Sequence, residues 1–486
     1  MRTYFRLSIL CCLVICAACG PSAEDKAKEQ ANLDMMQKAQ EGSEKYADYG
    51  ENPFFKASEQ AVSTFSIDAD GASYSNTRRF LSQGQKPPVA SVRIEEYINY
   101  FSFDYPEPGD GENVSSQTEI ANCPWNTDHH LIRIGLKGKS IPKSQQAACN
   151  YVFLIDVSGS MDSSDKLGIL KAGFKQMVDG LRSIDRVAIV TYAGSAGILL
   201  PSTHGDQKDK IREAINHLSA GGSTAGAEGI NTAYEIATEN LVKNGNNRVI
   251  LGTDGDFNVG VSSTDELIRM IEQKRETGIY LTVLGVGEGN LNDEMMEQLA
   301  NKGNGNYEYI DNARQIKKIF VDERSRFQTV AKDCKIQITF NSMMVEQYRL
   351  IGYENRVMSN ADFKNDSVDA GEIGSGQTIT ALYEVVLKRQ SSNEAYATFD
   401  IRYKKPSETE SRLLSTKIQM KPLPVSQSSE NMKFVASVAG FGLLMKDSKY
   451  KGDASKQMVL DFAESALSYD PNGYRKEYIE MIKSLQ

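Results

Sequence analysis

Between residues 150 and 330, short apolar segments alternate with segments whose apolar positions recur at helical spacing. Residues 151–157 are apolar except for Asp156 and predict a buried strand, and a helical pattern follows at 166–181. Further strands are predicted at 186–192, 248–253 and 279–287. Strands that are apolar on both faces belong to sheets that helices cover on both sides. The pattern therefore predicts an α/β domain over 150–330 with a doubly wound, mostly parallel sheet.

On both sides of this domain, apolar positions recur with a period of two, which is typical of half-buried strands. Residues 117–149 contain a predicted hairpin, with strands at 117–123 and 129–138, and residues 334–422 contain at least four predicted strands. A two-stranded hairpin is marginally stable alone. We therefore expect 117–138 to pair with strands from 335–420 in one antiparallel β-sandwich, into which the α/β domain is inserted.

The two ends of the chain have different patterns. Residues 60–104 are predicted to form an N-terminal companion segment with a short strand and two helices, the second at 94–103. Residues 428–486 are predicted to form a helical C-terminal segment. Residues 19–59 are polar, without a sustained apolar face, and are predicted to be a tether.

The first residues have the features of an export signal. Arg2 and Arg6 precede an apolar run at 7–18 that is too short to span a bilayer but suits a signal peptide. The run ends in Cys16-Ala-Ala-Cys19-Gly, which resembles a bacterial lipobox. The resemblance implies removal of residues 1–18, acylation of Cys19 and anchoring in the cell envelope. An ordinary cleavable signal peptide is the alternative. We expect the outer membrane, with the periplasmic or surface face left open.

The charge balance narrows the classes of partner. Lys and Arg number 55 against 64 Asp and Glu, which gives a net charge of −9. Loss of residues 1–18 removes two Arg and no acidic residue, so the charge becomes −11. Nucleic-acid binding needs a basic surface. We therefore expect no nucleic-acid partner.

Cysteine placement suggests one possible disulfide. After removal of the signal and acylation of Cys19, Cys123, Cys149 and Cys334 remain, an odd number. Cys149 and Cys334 lie at the predicted entrance and exit of the inserted domain, which makes them candidates for a bridge. An oxidising compartment would permit it. Three buried free thiols are the alternative.

Oxygen-bearing side chains follow several strands of the α/β domain. Asp156, Ser158 and Ser160 come at the end of the first strand, and Asp254 directly follows the strand at 248–253. Thr224 lies in a polar loop just before a helix. Ligands bind open α/β sheets at the carboxyl ends of strands. An all-oxygen set suits Mg²⁺, with Mn²⁺ or Ca²⁺ as alternatives. The sequence therefore predicts a metal site at this edge.

These five residues resemble the metal-ion-dependent adhesion site of von Willebrand factor A domains, whose pattern is D-x-S-x-S, then T, then D. The resemblance covers about residues 150–330, and the flanking segments look like the companion domains of a bacterial lipoprotein family. It implies that Ser158, Ser160 and Thr224 contact the metal closely, while Asp156 and Asp254 often act through water. It further implies that an Asp or Glu of a partner protein completes the metal's coordination.

The expected function is therefore that of a lipid-anchored envelope protein, not an enzyme, that uses a divalent cation to bind an acidic residue of another protein. One alternative keeps the fold as a structural scaffold without a metal-bridged ligand. The other is a metal-dependent phosphohydrolase, because Asp156 matches the nucleophile position of haloacid-dehalogenase-like enzymes. Ser158 replaces their second Asp, and the local pattern offers no suitable Lys.

Overall fold

A computed structural model describes residues 44–193, 195–221, 226–255, 264–390 and 393–485. In chain order, the strands are β1 Phe55–Lys56, β2 Val62–Ser66, β3 Val114–Asn122, β4 His130–Gly138, β5 Cys149–Asp156, β6 Arg186–Ala193, β7 Ser195–His204, β8 Asn246–Thr253, β9 Tyr280–Val286, β10 Tyr307–Ile310, β11 Thr329–Phe340, β12 Val345–Ile351, β13 Ile373–Gly374, β14 Thr378–Leu387, β15 Ala397–Lys404 and β16 Arg412–Ile418. The helices are α1 Ala72–Ser82, α2 Ile94–Asn99, α3 Ile169–Asp179, α4 Lys208–His217, α5 Gly226–Glu239, α6 Thr264–Arg275, α7 Asp293–Lys302, α8 Ala313–Lys317, α9 Glu430–Met445, α10 Lys456–Glu464 and α11 Tyr474–Ser484. The predicted signal peptide, Cys19 and Thr224 lie outside the described residues.

The central sheet has the strand order β10-β9-β8-β5-β6-β7 in the described part of the chain. Its neighbouring strands run parallel except for β6 and β7, which run antiparallel. Helices α3, α4 and α8 cover one face, and α5, α6 and α7 cover the other. Every residue of β5 is buried, because this strand lies between two layers of helices. The predicted doubly wound α/β class is confirmed.

Strands from both sides of this domain form a β-sandwich. One of its sheets has the order β1-β12-β14-β4-β3, and the other has β13-β11-β15-β16, with β2 also paired to β11. Strand β4 pairs antiparallel with β14, where Ile134 lies opposite Ala381. Side chains from both sheets, including Ile134 and Ile336, share one apolar core. The expected pairing of the hairpin with the C-terminal strands is confirmed.

The helices at the two chain ends share a third core. Tyr74 and Phe101 of the N-terminal segment pack with Phe434 and Tyr478 of the C-terminal helices. Helix α2 ends at Asn99, earlier than the predicted end at 103. The chain then turns toward the sandwich, where the Phe103 amide donates to Thr378 Oγ1 at 3.2 Å. The two terminal segments therefore form one unit.

The predicted tether is shorter than expected. The described part of it, from residue 44, already packs against the folded body. The Lys45 amide donates to the Leu291 carbonyl at 2.8 Å, and Phe55 of β1 pairs with Tyr348 of β12. Backbone pairing thus fixes residues that composition alone assigned to a polar linker.

The candidate disulfide between Cys149 and Cys334 does not form, and the alternative of three buried free thiols is confirmed. In the described residues, Cys123, Cys149 and Cys334 are buried free thiols. Cys149 belongs to the core under the α/β sheet, whereas Cys334 belongs to the sandwich core. Proximity along the chain to the domain boundary did not bring the two sulfurs together, because each strand buries its cysteine in its own core.

Among the described helices, we find none with the length and apolar character needed to cross a membrane.

Candidate metal site

The loop after β5 brings a carboxylate and two hydroxyl groups together. Asp156 is the last residue of β5 and is fully buried. The Ser158 amide donates to Asp156 Oδ1 at 2.8 Å, which folds the loop back over the strand end. The Oγ atoms of Ser158 and Ser160 lie 3.0 Å apart. Ser158 is buried and Ser160 is exposed, so the hydroxyl pair spans from the protein interior to the solvent.

The second carboxylate oxygen of Asp156 is held by the two neighbouring strands. Tyr192 of β6 donates its hydroxyl to Asp156 Oδ2 at 3.2 Å, and Thr253 of β8 does so at 3.3 Å. Burial raises the pKa of the Asp156 carboxyl, hydrogen bonds from Ser158 lower it, and the charge of nearby Asp254 raises it. A positive charge at this edge would therefore stabilise the ionised carboxylate.

Asp254 directly follows β8 and is fully buried. Its Oδ2 accepts hydrogen bonds from the Lys166 ammonium at 2.9 Å and from Asn290 Nδ2 at 3.1 Å. The same ammonium donates to Asn290 Oδ1 at 3.1 Å. These three side chains form a closed hydrogen-bonded triangle beside Asp156. The sequence predicted Asp254 at this edge but missed Lys166 and Asn290.

The local backbone explains how Lys166 enters the site. The predicted helix at 166–181 begins instead with a π-helical turn, Ser164–Gly168, and continues as α3. The Lys166 side chain crosses directly over Gly287, where an added Cβ would lie 2.4 Å from Lys166 Cε. The only sequence signal at this position is that a positive charge in the first turn of a helix opposes the helix dipole, and that signal does not say which group the lysine contacts.

Of the predicted ligands, Asp156, Ser158, Ser160 and Asp254 meet at the carboxyl edge of the sheet. Thr224 lies outside the described residues. The loop that leads toward it is hydrogen-bonded to the Asp156 loop, because the Gly221 amide donates to the Val157 carbonyl at 2.7 Å.

The described donor set fits a hard divalent cation. Two carboxylates balance its charge, and two neutral hydroxyl groups add oxygen donors without adding further negative charge. Within the described ranges, no group of three or more His, Cys, Asp or Glu could hold a metal. A cation at this edge would therefore depend on the hydroxyl oxygens of Ser158 and Ser160 as well as on the carboxylates.

Comparison with known proteins agrees with the architecture. A model of the von Willebrand factor type A domain matches residues 150–322, and one named von Willebrand factor matches 40–133. The "Uncharacterized protein YfbK, C-terminal" model matches 325–486. The Escherichia coli K12 protein YfbK is 39% identical over 472 residues, which cover 92% of this chain and 81% of that protein. The chain belongs to the YfbK family of von Willebrand factor type A proteins.

More distant matches cover less of this YfbK-family chain. The Synechocystis protein sll0103 is 25% identical over 218 residues, covering 45% of the chain and 50% of that protein. A solved von Willebrand factor type A structure from Catenulispora acidiphila covers 77% of the chain and 91% of its own, at 15% identity and a TM-score of 0.43. The domain class itself indicates a role in protein–protein interaction or adhesion.

Proposed function

We propose that this protein binds a divalent cation, with Mg²⁺ as the first candidate, and uses the loaded site to bind an acidic residue of a partner protein. The observation that best supports this is the hydroxyl pair of Ser158 and Ser160, 3.0 Å apart, in the loop that directly follows the buried carboxylate of Asp156. A bound cation would supply an electrophilic centre that accepts a carboxylate oxygen of the partner. Mn²⁺ and Ca²⁺ are the alternative cations.

The buried and exposed residues of the site have different roles. Asp156 and Asp254 supply negative charge from buried positions, where Tyr192 and Asn290 fix their orientation. Ser160 is exposed, so the site opens toward solvent on the side that a partner would approach. The net charge of −9 disfavours long-range attraction of an acidic partner. A local cation would have to supply that attraction.

The proposal extends to the location of the protein. The apolar run at 7–18 and the lipobox-like Cys19 support lipid anchoring in the bacterial cell envelope, with the outer membrane favoured.

The phosphohydrolase alternative needs a lysine in the site, which the structure provides, and a general acid, which it does not. Lys166 does lie in the site, although the local sequence pattern offered no such lysine. Its ammonium contacts Asp254 rather than the would-be nucleophile Asp156. Ser158 still stands where a general acid would be needed. We therefore propose binding rather than catalysis, and we expect no Mg²⁺-dependent phosphatase activity on p-nitrophenyl phosphate.

The test is capture of envelope proteins by the full-length protein, with and without EDTA. Ser160→Ala removes an exposed ligand without opening a core, and Asp209→Ala on the exposed face of α4 is the matched control. We expect EDTA and Ser160→Ala to reduce capture of the same proteins at least tenfold, while Asp209→Ala leaves it unchanged. Equal capture in all conditions would contradict the metal-bridged mechanism.

A further inference from the structure

Lys166 places a positive charge where a divalent cation would be expected to interact with Asp254. Its Nζ lies 2.9 Å from Asp254 Oδ2, and the lysine side chain is only 12% exposed while the carboxylate is fully buried. Surface ion pairs of Lys contribute little because water screens them. A buried pair is screened far less, so this lysine alters the electrostatics of the whole site.

The lysine is held in place by more than its charge. Asn290 accepts from the ammonium at 3.1 Å and itself donates to Asp254, so both ends of the ion pair share one partner. The aliphatic part of Lys166 packs over Gly287, which has a φ of +74°. The π-helical turn Ser164–Gly168 aims the side chain toward the strand ends. Three separate features thus fix one ammonium beside the predicted ligands.

We propose that Lys166 sets the divalent-cation affinity of this site. Its ammonium neutralises Asp254 when no cation is bound, and it repels a cation that binds to the same carboxylates. The proposal rests on the proposed metal site and adds a residue outside the D-x-S-x-S, T, D pattern. With Lys166 present, a higher cation concentration is needed to fill the site. Once a cation is bound, the ammonium adds one more positive charge that attracts a partner's carboxylate.

Two other roles for Lys166 predict different effects on cation binding. If the ammonium only orients Asp254 for the cation, then a neutral replacement weakens cation binding. If the lysine only anchors the start of α3 by packing over Gly287, then a replacement with a similar aliphatic chain leaves cation binding unchanged. Lys166→Met keeps most of that chain and removes the charge, so it separates all three roles.

The test is isothermal titration with Mg²⁺ and, separately, with Mn²⁺ on the full-length protein after removal of bound metal. We expect Lys166→Met to bind each cation at least tenfold more tightly than the wild type, because a like charge a few ångströms away is removed. Lys166→Arg keeps the charge and is expected to resemble the wild type. Lys210→Met, at an exposed position of α4, controls for the change in net charge.

The outcomes separate this inference from the proposed function. Binding by the wild type with equal or weaker binding by Lys166→Met would overturn the role of Lys166 and leave the metal site standing. Binding in neither protein would overturn the metal site and this inference with it. A second measurement uses thermal unfolding. Without metal, the Tm of Lys166→Met should be several degrees lower than that of the wild type. Saturating Mg²⁺ should then raise the Tm of Lys166→Met by more than it raises the Tm of the wild type. A Tm unchanged by Lys166→Met without metal would contradict the neutralising role.

Discussion

Arg93 Nη1 lies 2.7 Å from Asp293 Oδ2, and both side chains are buried. Arg93 directly precedes α2 of the N-terminal helical unit, whereas Asp293 is the first residue of α7 in the α/β domain. The same guanidinium also contacts Glu96 and Glu297, both buried. The inserted domain is therefore attached to its framework by a buried cluster of charges as well as by the chain itself.

Arg93→Ala should be strongly destabilising, because it leaves three buried carboxylates without their shared cation. We expect a loss of about 3–5 kcal/mol in the free energy of unfolding, measured by chemical denaturation. Arg212→Ala is the control, because it removes an Arg that pairs with Asp179 on the surface, and it should cost less than about 1 kcal/mol. A similar small cost for both variants would show that the buried cluster does not hold the units together.

Gly287→Ala should disturb the metal site through Lys166. The residue has a φ of +74°, and an added Cβ would lie 2.4 Å from Lys166 Cε. We expect Gly287→Ala to lower the free energy of unfolding, measured by chemical denaturation, by about 2–4 kcal/mol, because backbone strain and overpacking act together. Gly289→Ala is a matched control with a φ of +87° and open space around the added Cβ, so only strain of about 1–2 kcal/mol should remain. Equal costs for the two variants would contradict the close packing of Lys166 on Gly287.

Glu95 should make the stability of the protein depend on pH. Burial, together with the charges of Glu354 and Asp68, raises the pKa of its carboxyl to about 7. Because the folded pKa exceeds the unfolded value, the stability contributed by the neutral acid is complete below about pH 4.5 and is lost as pH rises through 7. Glu95→Gln should therefore match the wild type below about pH 4.5.

At pH 8.5, the same variant should be more stable than the wild type by about 1–3 kcal/mol, as measured by the unfolding midpoint. Glu213→Gln, at an exposed position of α4, should show no such gain. If the stabilities of Glu95→Gln and the wild type changed in parallel from pH 5 to 8.5, then Glu95 would titrate in its ordinary range.

The predicted ligands could be located from sequence because they depend on topology alone. Asp156 and Asp254 end neighbouring parallel strands, and the carboxyl ends of such strands lie at one edge of a sheet. Ser158 and Ser160 follow within one short loop. No detailed packing had to be known for these four residues to meet.

Lys166 and Asn290 could not be located in the same way. The lysine reaches Asp254 only because a π-helical turn replaces the first turn of the predicted helix and because Gly287 leaves room for its chain. Asn290 lies in a loop after β9. These positions depend on local geometry that an apolar pattern does not encode.

Strand β12 is not among the four strands that the period of two predicts in this region, at 336–340, 378–388, 395–404 and 412–420. Arg349 lies buried within it, which interrupts the alternation expected of a half-buried strand. Glu384 of β14 makes the burial possible, because its Oε2 lies 2.7 Å from Arg349 Nη2. A charged residue in a core can be predicted only once its partner on another strand is known.

The most direct test of the central claim is the binding of Mg²⁺ itself, measured by isothermal titration calorimetry after bound metal has been removed. The wild type is compared with the double variant Ser158→Ala/Ser160→Ala. The double variant removes both hydroxyl ligands and leaves Asp156, Asp254 and Lys166 in place. We predict one saturable Mg²⁺ site per chain in the wild type and at least a hundredfold loss of affinity in the double variant. Equal binding by the two proteins, or no saturable binding by the wild type, would contradict the assignment of this sheet edge as a metal site.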